Sequence, residues 1–378
     1  MYITGIGRTK FGVLSESLLE LAYEAMINAI NDSGLTVGDI EAIFVSNFLG
    51  GPLNAQLHLN SVIASLIPDT NIPILRVETA CASSSVALKQ AMYSTNDFEN
   101  VLVLGVEKMS SNLLTGQTEA IAMAAHQELD QSQGLIFPAN YALIAQQYMN
   151  KYGVEHDVFE EIAYINHKNA NLNPLAHFYY KEVTREAIKK SPMVSSPLQL
   201  FDCSPVSDGA ASAVISREKN SDRDVKILSS QFITDSISLT QRKNLTSFKA
   251  AKTAAKKAYQ EAGVNSDDID ILEVHDCFTI SELIALEDLG FCEPGEAPKM
   301  IEDGSILLKG DIPVNTDGGL KANGHPIGAT GLAQIYEIVS QIRGEADKRQ
   351  VNDVKVGMTH NIGGIGGTAA VTILGESL

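Results

Sequence analysis

The feature that most narrows the fold is an internal repeat. The stretch AYEAMINAINDSGLTVGDIEAIFV begins at Ala22, and AKTAAKKAYQEAGVNSDDIDILEV begins at Ala251. Ala22, Ala25, Ala29, Gly34, Asp39, Ile40 and Val45 align without a gap with Ala251, Ala254, Ala258, Gly263, Asp268, Ile269 and Val274. Each copy reads as a helix, a glycine stop, an acidic turn and a strand. Two copies so far apart point to a duplicated domain, because a solenoid needs about three or more tandem units. Chance likeness between two helix–strand units is the competing account, and seven matches in register weigh against it.

The remaining pattern fits an α/β architecture in which helices cover sheets. Residues 101–106, 211–216, 225–233 and 368–374 read as buried strands. Residues 17–30 read as a helix: Ser17 and Glu20 have capping-box spacing, and Leu18, Ala22, Ala25, Met26 and Ala29 line one face. Residues 118–195 are richer in polar groups, His and Tyr, with helical patterns at 139–152 and 158–171 and little strand signal. They read as an insertion carrying a substrate lid. Residues 219–224 read as a solvated turn near the boundary between the halves.

Acidic residues outnumber basic ones 46 to 28, a formal charge of −18, which excludes the basic stripe of a nucleic-acid binder and disfavours an anionic membrane surface. It does not exclude an anionic small ligand in one local pocket. No apolar run is long enough to span a bilayer, and residues 1–12 lack the basic stretch and apolar core of a signal peptide. The cysteines Cys81, Cys203, Cys277 and Cys292 form no C-x-x-C pair. The expectation is a soluble, cytoplasmic protein with reduced thiols.

Cys81 follows the extended stretch 74–77 and precedes a helical pattern that opens on Ala82, Ser83, Ser84 and Ser85. At a strand-to-helix junction the free N–H groups and the helix dipole favour a thiolate and can hold an oxyanion. A buried structural cysteine is the equal alternative. His275, Asp276 and Cys277 emerge where the second repeat's strand ends, a usual place for a ligand crevice. A metal site there would lack third and fourth ligands at zinc-like spacing. His325 sits among seven glycines between Gly304 and Gly331, more than a surface loop needs. The cluster from His360 through Gly367 is either an anion nest or tight strand-on-helix packing. Neither nucleotide-binding glycine fingerprint is present.

Taken together, ACASSSVAL from Ala80, HDCF from His275, GHPIGATG from Gly324 and NIGGIGG from Asn361 resemble the thiolase family in order and spacing, over essentially the whole chain. The resemblance implies a thiolase fold: duplicated βαβαβαββ halves in a five-layered α-β-α-β-α core with an inserted loop domain. On that basis 1–117 and 196–235 form the N-terminal half, 118–195 the inserted lid and 236–378 the C-terminal half.

One departure is informative. Most of the family carry a second cysteine where this chain has Asn361, and an Asn-Glu-Ala-Phe motif where it has His275-Asp276-Cys277-Phe278. The combination is similar to sterol-carrier-protein-type and archaeal-type acetyl-CoA acetyltransferases, in which the HDCF cysteine takes over proton transfer.

The resemblance implies reversible Claisen condensation or thiolysis of acyl-CoA thioesters: acetoacetyl-CoA from two acetyl-CoA, or 3-ketoacyl-CoA cleavage. Cys81 would be the acylated nucleophile, His325 its base and Cys277 the acid/base. One oxyanion hole would use His275 and His325, the other the N–H groups of Cys81 and Gly363. Arg242 and Ser247 would meet the coenzyme A tail, which is part of the substrate; no cofactor and no metal are implied. A homodimer or homotetramer is implied, as is a complex with a hydroxymethylglutaryl-CoA synthase and a zinc-ribbon protein. The alternatives are a related condensing acyltransferase with another donor or acceptor, and a non-catalytic thiolase-like subunit. Cys203 and Cys292 read as packing residues, and His126, His167 and His177 as solvated loop histidines.

Overall fold

The computed structural model describes residues 1–111 and 116–376. Nine strands make one sheet: β1 (Tyr2–Arg8), β2 (Ala42–Ser46), β3 (Ile74–Val77), β4 (Asn100–Glu107), β5 (Gly209–Ser216), β6 (Val225–Thr234), β7 (Ile271–Glu273), β8 (Val356–Gly363) and β9 (Thr368–Gly375). Their spatial order is β3-β2-β4-β5-β1-β6-β9-β8-β7. Seven longer helices matter here: α1 (Leu18–Ser33), α2 (Ser83–Ser94), α3 (Phe137–Tyr152), α4 (Asp157–Ala170), α5 (Lys249–Ala262), α6 (Thr279–Asp288) and α7 (Thr330–Ile342).

The single sheet is two half-sheets joined at a narrow seam. β1 and β6 pair only through Tyr2 with Lys226 and Ile3 with Val225. Helix α1 covers β1, β4 and β5, whereas α5 covers β6 and β9. Between the half-sheets lie α2 and α7, packed on each other; α2 touches β2 and β4 on one side and β6 and β9 on the other, and α7 does the same with β5 and β8. The result is five layers, α-β-α-β-α, with the two central helices largely buried.

The repeat is visible atom by atom. α1 and α5 both end on a left-handed glycine, Gly34 and Gly263, each at φ 73°. Each is followed by a single 3-10 turn closed by an aspartate: Asp39 accepts from the Thr36 N–H at 2.7 Å, and Asp268 from the Asn265 N–H at 2.9 Å. Strand β2 then runs for five residues but β7 for only three. The Val274 N–H leaves the ladder to donate to the Asn315 side chain at 2.8 Å, which frees the chain to turn into the site. At α1 the expected Ser17–Glu20 capping box is formed. That helix lies directly on β1, where a Cβ on Gly5 would stand 2.1 Å from the Ala29 carbonyl oxygen.

Helices α3 and α4 form as the sequence predicts, and a short hairpin (Met193–Ser195 with Leu198–Gln199) lies nearby. Their buried Tyr141, Tyr148, Phe159 and Ile162 join the same apolar cluster as α5 and α6. This segment is therefore continuous with the core around α5 and α6. Among the described residues no helix is long and apolar enough to cross a membrane.

Candidate active site

Helices α2 and α7 bring their N-termini together, and small residues allow it. A Cβ on Gly331 would meet Ser85 Oγ at 2.2 Å and Asn361 Oδ1 at 2.8 Å, so only glycine fits. Ser84 Oγ accepts from the Leu332 N–H at 3.2 Å. Just before α2 the chain makes a tight turn in which Ala80 adopts φ 52°, a left-handed value that costs a non-glycine residue energy. Ser83 ties this turn down by accepting from the Thr79 N–H at 2.9 Å. The turn leaves Cys81 at the head of α2, buried, with the Gly364 N–H directed at its sulfur.

His275 and Cys277 come from the segment that departs from β7, and His325 from the glycine-rich loop before α7. That loop is pressed against its neighbours: Gly319 and Gly324 sit at φ 59° and 113°, and a Cβ on Gly319 would collide with the Asp276 carboxylate at 2.4 Å. Asp276 is buried and accepts from the Leu320 N–H at 2.6 Å. The other end of the loop is held by Glu107, which accepts from the Gly328 N–H at 2.9 Å and from the Phe48 and Leu49 N–H groups. Burial pushes the carboxyls of Asp276 and Glu107 up to about 7.

Cys81, His275 and His325 converge, with one ligand atom of each lying within 4.8 Å of the others. The two imidazoles meet edge to face, with centroids 5.2 Å apart. Their outer hydrogen bonds assign opposite tautomers. Thr330 Oγ1 donates to the Pro326 carbonyl at 3.0 Å, so it accepts the Nδ1–H of His325 at 2.7 Å. His325 therefore turns a bare Nε2 lone pair inward, as a base. Ser85 Oγ donates to Asn361 Oδ1 at 3.0 Å, which orients the Asn361 amide to donate to His275 Nδ1 at 2.8 Å. His275 therefore carries its proton on Nε2, a buried atom with no partner among the described residues, as a donor.

Three such ligand atoms are also the spacing of a metal site. A ring nitrogen that carries a proton does not coordinate, however, so the Asn361 bond suits His275 to an oxyanion and not to a cation. Burial drives both imidazoles below their ordinary range, His325 to about 3, so both are neutral at neutral pH. Burial raises the thiols of both cysteines, Cys277 to about 12, with Cys277 adding to the rise at Cys81. Neither thiol ionises spontaneously here; Cys81 needs the base beside it.

The other expected residues divide. Gly363 closes β8 against the Cys81 turn, where a Cβ would stand 2.3 Å from the Thr79 carbonyl, and the N–H that reaches the sulfur is that of the next residue, Gly364. Arg242 turns partly inward, donating to the Ser236 carbonyl at 2.8 Å, and Ser247 Oγ donates to Asp288 at 2.6 Å. Both line an open cleft of about 600 Å³ with Lys243, Lys249 and Lys252. A second cleft, of about 270 Å³, is lined by Thr79, Ala80, Gly363 and Gly364 and shares Asp235 with the first. The two clefts meet at Asp235, one basic and the other beside the cysteine turn.

Cys203 and Cys292 are part-buried packing residues. The reading of His167 as a solvated loop residue is corrected: it is 1% exposed and wedged between Phe178 and Phe201. Sequence reasoning missed Thr330, Ser85 and Glu107. The hydroxyl-rich starts of α2 and α7 were the available signal.

Residues 1–219 match the thiolase N-terminal domain, and residues 233–376 the thiolase C-terminal domain-like family. The chain is 44% identical over 378 residues to an acetyl-CoA acetyltransferase of Methanothermobacter thermautotrophicus, with 98% of each chain covered. It is 34% identical to sterol carrier protein 2 of Bos taurus, covering 99% of this chain and 71% of that one. Among solved structures, the Ltp2-ChsH2(DUF35) aldolase matches with a TM-score of 0.86 at 27% identity, covering 99% of this chain and 97% of that one.

Proposed function

The chain belongs to the thiolase family and is an acyltransferase of that family, and from this premise we propose that it makes acetoacetyl-CoA from two molecules of acetyl-CoA, reversibly. The observation that carries the reading is the convergence of a thiol with two neutral imidazoles of opposite tautomer, beside a second thiol.

His325 Nε2 takes the Cys81 proton as the sulfur attacks the thioester carbonyl. The oxyanion is held by backbone N–H groups of Cys81 and the Gly363–Gly364 turn; as it collapses the bond to the coenzyme A sulfur breaks, that sulfur takes the Cys277 proton and departs as the thiol, and Cys81 carries the acyl group while Cys277 is left as the thiolate. His325 then bears a proton on Nε2 beside the Nε2–H of His275. The first half-reaction thus assembles a two-donor hole for the enolate oxygen of the second acetyl-CoA. Cys277, as thiolate, removes a proton from that thioester's α-carbon, and the carbanion attacks the acyl group on Cys81, whose bond to sulfur breaks as the sulfur takes back the proton from His325. Thiolysis of 3-ketoacyl-CoA is the reverse.

The substrate's charged end has a matching surface. The cleft containing Arg242 and Ser247 gathers four cations against the single carboxylate of Asp235, in a chain with a net charge of −18. Phosphates of the coenzyme would sit there, with the pantetheine arm following the second cleft to Cys81. We also propose a homodimer through β3. It is an edge strand of the sheet with Leu75 55% exposed, the kind of edge that is left unpaired only at a cost. Assembly with further subunits, a hydroxymethylglutaryl-CoA synthase and a zinc-ribbon protein, is tested by copurification; the name of the aldolase neighbour pairs two components.

The same likeness favours one second reading, aldol cleavage of a 3-hydroxyacyl-CoA, because it needs the same enolate hole but no acyl-cysteine. Intact-protein mass after brief exposure to acetyl-CoA or acetoacetyl-CoA, with peptide mapping, decides. An acyl increment on Cys81 that Cys81→Ala abolishes is the expected result. Turnover of a 3-hydroxyacyl-CoA by Cys81→Ala, with no increment on the parent protein, would replace the first reading by the second. Cys277→Ala is expected to keep the increment and lose carbon–carbon exchange.

A further inference from the structure

The segment that carries His275 and Cys277 is backed by a cluster of fully buried polar side chains. Asp276, Glu282, Asn166 and Asn315 are each 0% exposed. Asn166 comes from α4, Glu282 from the first turn of α6, and Asn315 follows Val314, which bridges to β7. Asn166 Nδ2 donates to Asp276 Oδ2 at 2.9 Å and to Glu282 Oε2 at 2.8 Å. Asn315 Nδ2 donates to the same Glu282 oxygen at 3.0 Å. Both amides have a fixed sense. Flipping Asn166 would set its oxygen against two carboxyl groups, and Asn315 Oδ1 is already taken by the Val274 N–H at 2.8 Å.

Two atoms of this cluster are left over, and they are complementary. Asn166 Oδ1 and Glu282 Oε1 are both buried and have no partner among the described residues. They belong to the two groups already joined by the Nδ2–Oε2 bond. An amide and a carboxylic acid joined edge to edge make two hydrogen bonds, one from N–H to carboxyl oxygen and one from O–H to amide oxygen. Here the first is present and the second lacks only its proton. Two bare acceptors would leave a buried charge and a buried carbonyl uncompensated, whereas one proton on Oε1 serves both. Asp276 has no such vacancy. Its Oδ1 accepts from the Leu320 N–H at 2.6 Å, and its Oδ2 from the Lys321 N–H at 3.2 Å as well as from Asn166.

We propose that Glu282 is a neutral carboxylic acid, donating from Oε1 to Asn166 Oδ1, and that in this form it is the positioning residue for the segment His275–Cys277, whose Asp276 it holds through the same amide. The catalytic meaning of that segment rests on the reading of Cys277 as the acid/base; the protonation of Glu282 does not. The two carboxyl groups then carry one charge, on Asp276. A second charge on the first turn of α6 would repel Asp276 across the shared amide and oppose the Cys277 thiolate. Paired buried carboxyls divide their protons in this way, the one with more donors ionising first. Among the described residues Asp276 is the charged group that faces Glu282, and Lys321 and Asp317 face Asp276 in turn. Burial first, and then the Asp276 charge, push the Glu282 carboxyl up to about 8.

Glu282→Gln replaces the acid by an amide that offers the same acceptor and the same donor and does not titrate. An acid whose folded pKa stands above its unfolded value of about 4.3 stabilises the fold fully below that value and loses the contribution as pH rises toward the folded pKa. Urea unfolding of parent and variant between about pH 5 and 7 reads this directly. The ratio of folding constants, variant to parent, is expected to rise about tenfold per pH unit. A ratio that stays constant overturns the neutral acid.

The second readout is spectroscopic. Protein labelled with carbon-13 at the glutamate side-chain carboxyl should show, near neutral pH, the infrared carbonyl band of a protonated acid. Glu282→Gln should remove that band, and Asn166→Ala, which deletes the acceptor of its proton, should shift it to higher frequency. Should Glu282→Gln fail to fold, the shift in Asn166→Ala decides; a band that does not move, or no band, overturns the proposal. The positioning role is read from deuterium incorporation from D2O into the methyl group of acetyl-CoA. Its rate in Glu282→Gln relative to the parent should rise about tenfold as pH passes about 8, where the parent's acid ionises and its hydrogen bond is lost. A flat ratio overturns the positioning role. Equal incorporation by the parent and Cys277→Ala would instead overturn the acid/base reading, and the infrared band and the unfolding ratio would still decide the state of Glu282.

Discussion

Replacing Asn361 by leucine tests how much of the chemistry depends on a single amide. Asn361 donates to His275 Nδ1 at 2.8 Å while its oxygen accepts from Ser85 at 3.0 Å. Leucine keeps the branched shape and deletes both bonds. A buried ring nitrogen left without its donor costs about 1–3 kcal/mol, and the Ser85 hydroxyl loses its partner as well, so a total of about 3 kcal/mol is expected. For a chain of this length that lowers the melting temperature by about 4 °C.

The catalytic effect is larger and separable. Without Asn361 nothing holds the proton on His275 Nε2, and loss of one oxyanion donor costs about 10²- to 10³-fold in kcat. Acylation of Cys81 uses His325 and backbone N–H groups and should survive. Initial rates of acetoacetyl-CoA thiolysis, mass-detected acylation and a thermal melt make up the assay. A variant that melts about 4 °C lower but keeps kcat within about threefold refutes the tautomer argument. Ser85→Ala, which removes only the bond behind the amide, should cost less than about tenfold.

Charge reversal at Lys243 and Lys252 should raise KM for coenzyme A about tenfold at low salt with little change in kcat, the difference shrinking as salt rises; equal KM at low salt would remove the basic cleft from the substrate path. His360, buried with both ring nitrogens unpartnered among the described residues, is held neutral by burial down to about pH 3. An imidazole whose folded pKa lies below its unfolded value of about 6.5 contributes stability above that value and loses it as pH falls. His360→Gln should therefore flatten the pH dependence of urea unfolding below about pH 6.5 by about 1.4 kcal/mol per unit, and an unchanged slope would show that the site protonates in the folded state. Gly5→Ala should cost about 3 kcal/mol or fail to fold, because its Cβ meets the Ala29 carbonyl, whereas Gly34→Ala, with open space but φ 73°, should cost about 1 kcal/mol by chemical denaturation.

Much of this architecture is written locally, and that part is legible. Ser17 with Glu20 states where α1 begins, and Gly34 and Gly263 state where two helices end, because a cap is a contact between near neighbours. The duplication is legible for the same reason: each helix–turn–strand unit carries its own signals. Cys81 and His325 stand out because small-residue or glycine settings surround them, and His275 and Cys277 because they emerge where the second repeat's strand ends. Thr330 and Asn361 differ. Their role is fixed by a partner's free lone pair, and Asn361 meets His275 across 86 residues of chain. His167 misled because polar sequence around a histidine suggests solvent, while Phe178 and Phe201 reach it only in three dimensions.

The place of β1 has a consequence for how the chain is made. Its partners are β5, from Gly209 onward, and β6, from Val225 onward, so it stands in the middle of the sheet although it leaves the ribosome well before either of them. At about 5–20 residues per second, both of its edges wait for roughly 10–40 s before a partner exists. Through that interval a strand reading YITGIGR offers unsatisfied amides to any other nascent chain. The capping box and amphipathic face of α1 allow that helix to form early and lie over Gly5 and Gly7, shielding one face of the waiting strand. In this view the glycines that let α1 sit so close serve biogenesis as well as packing.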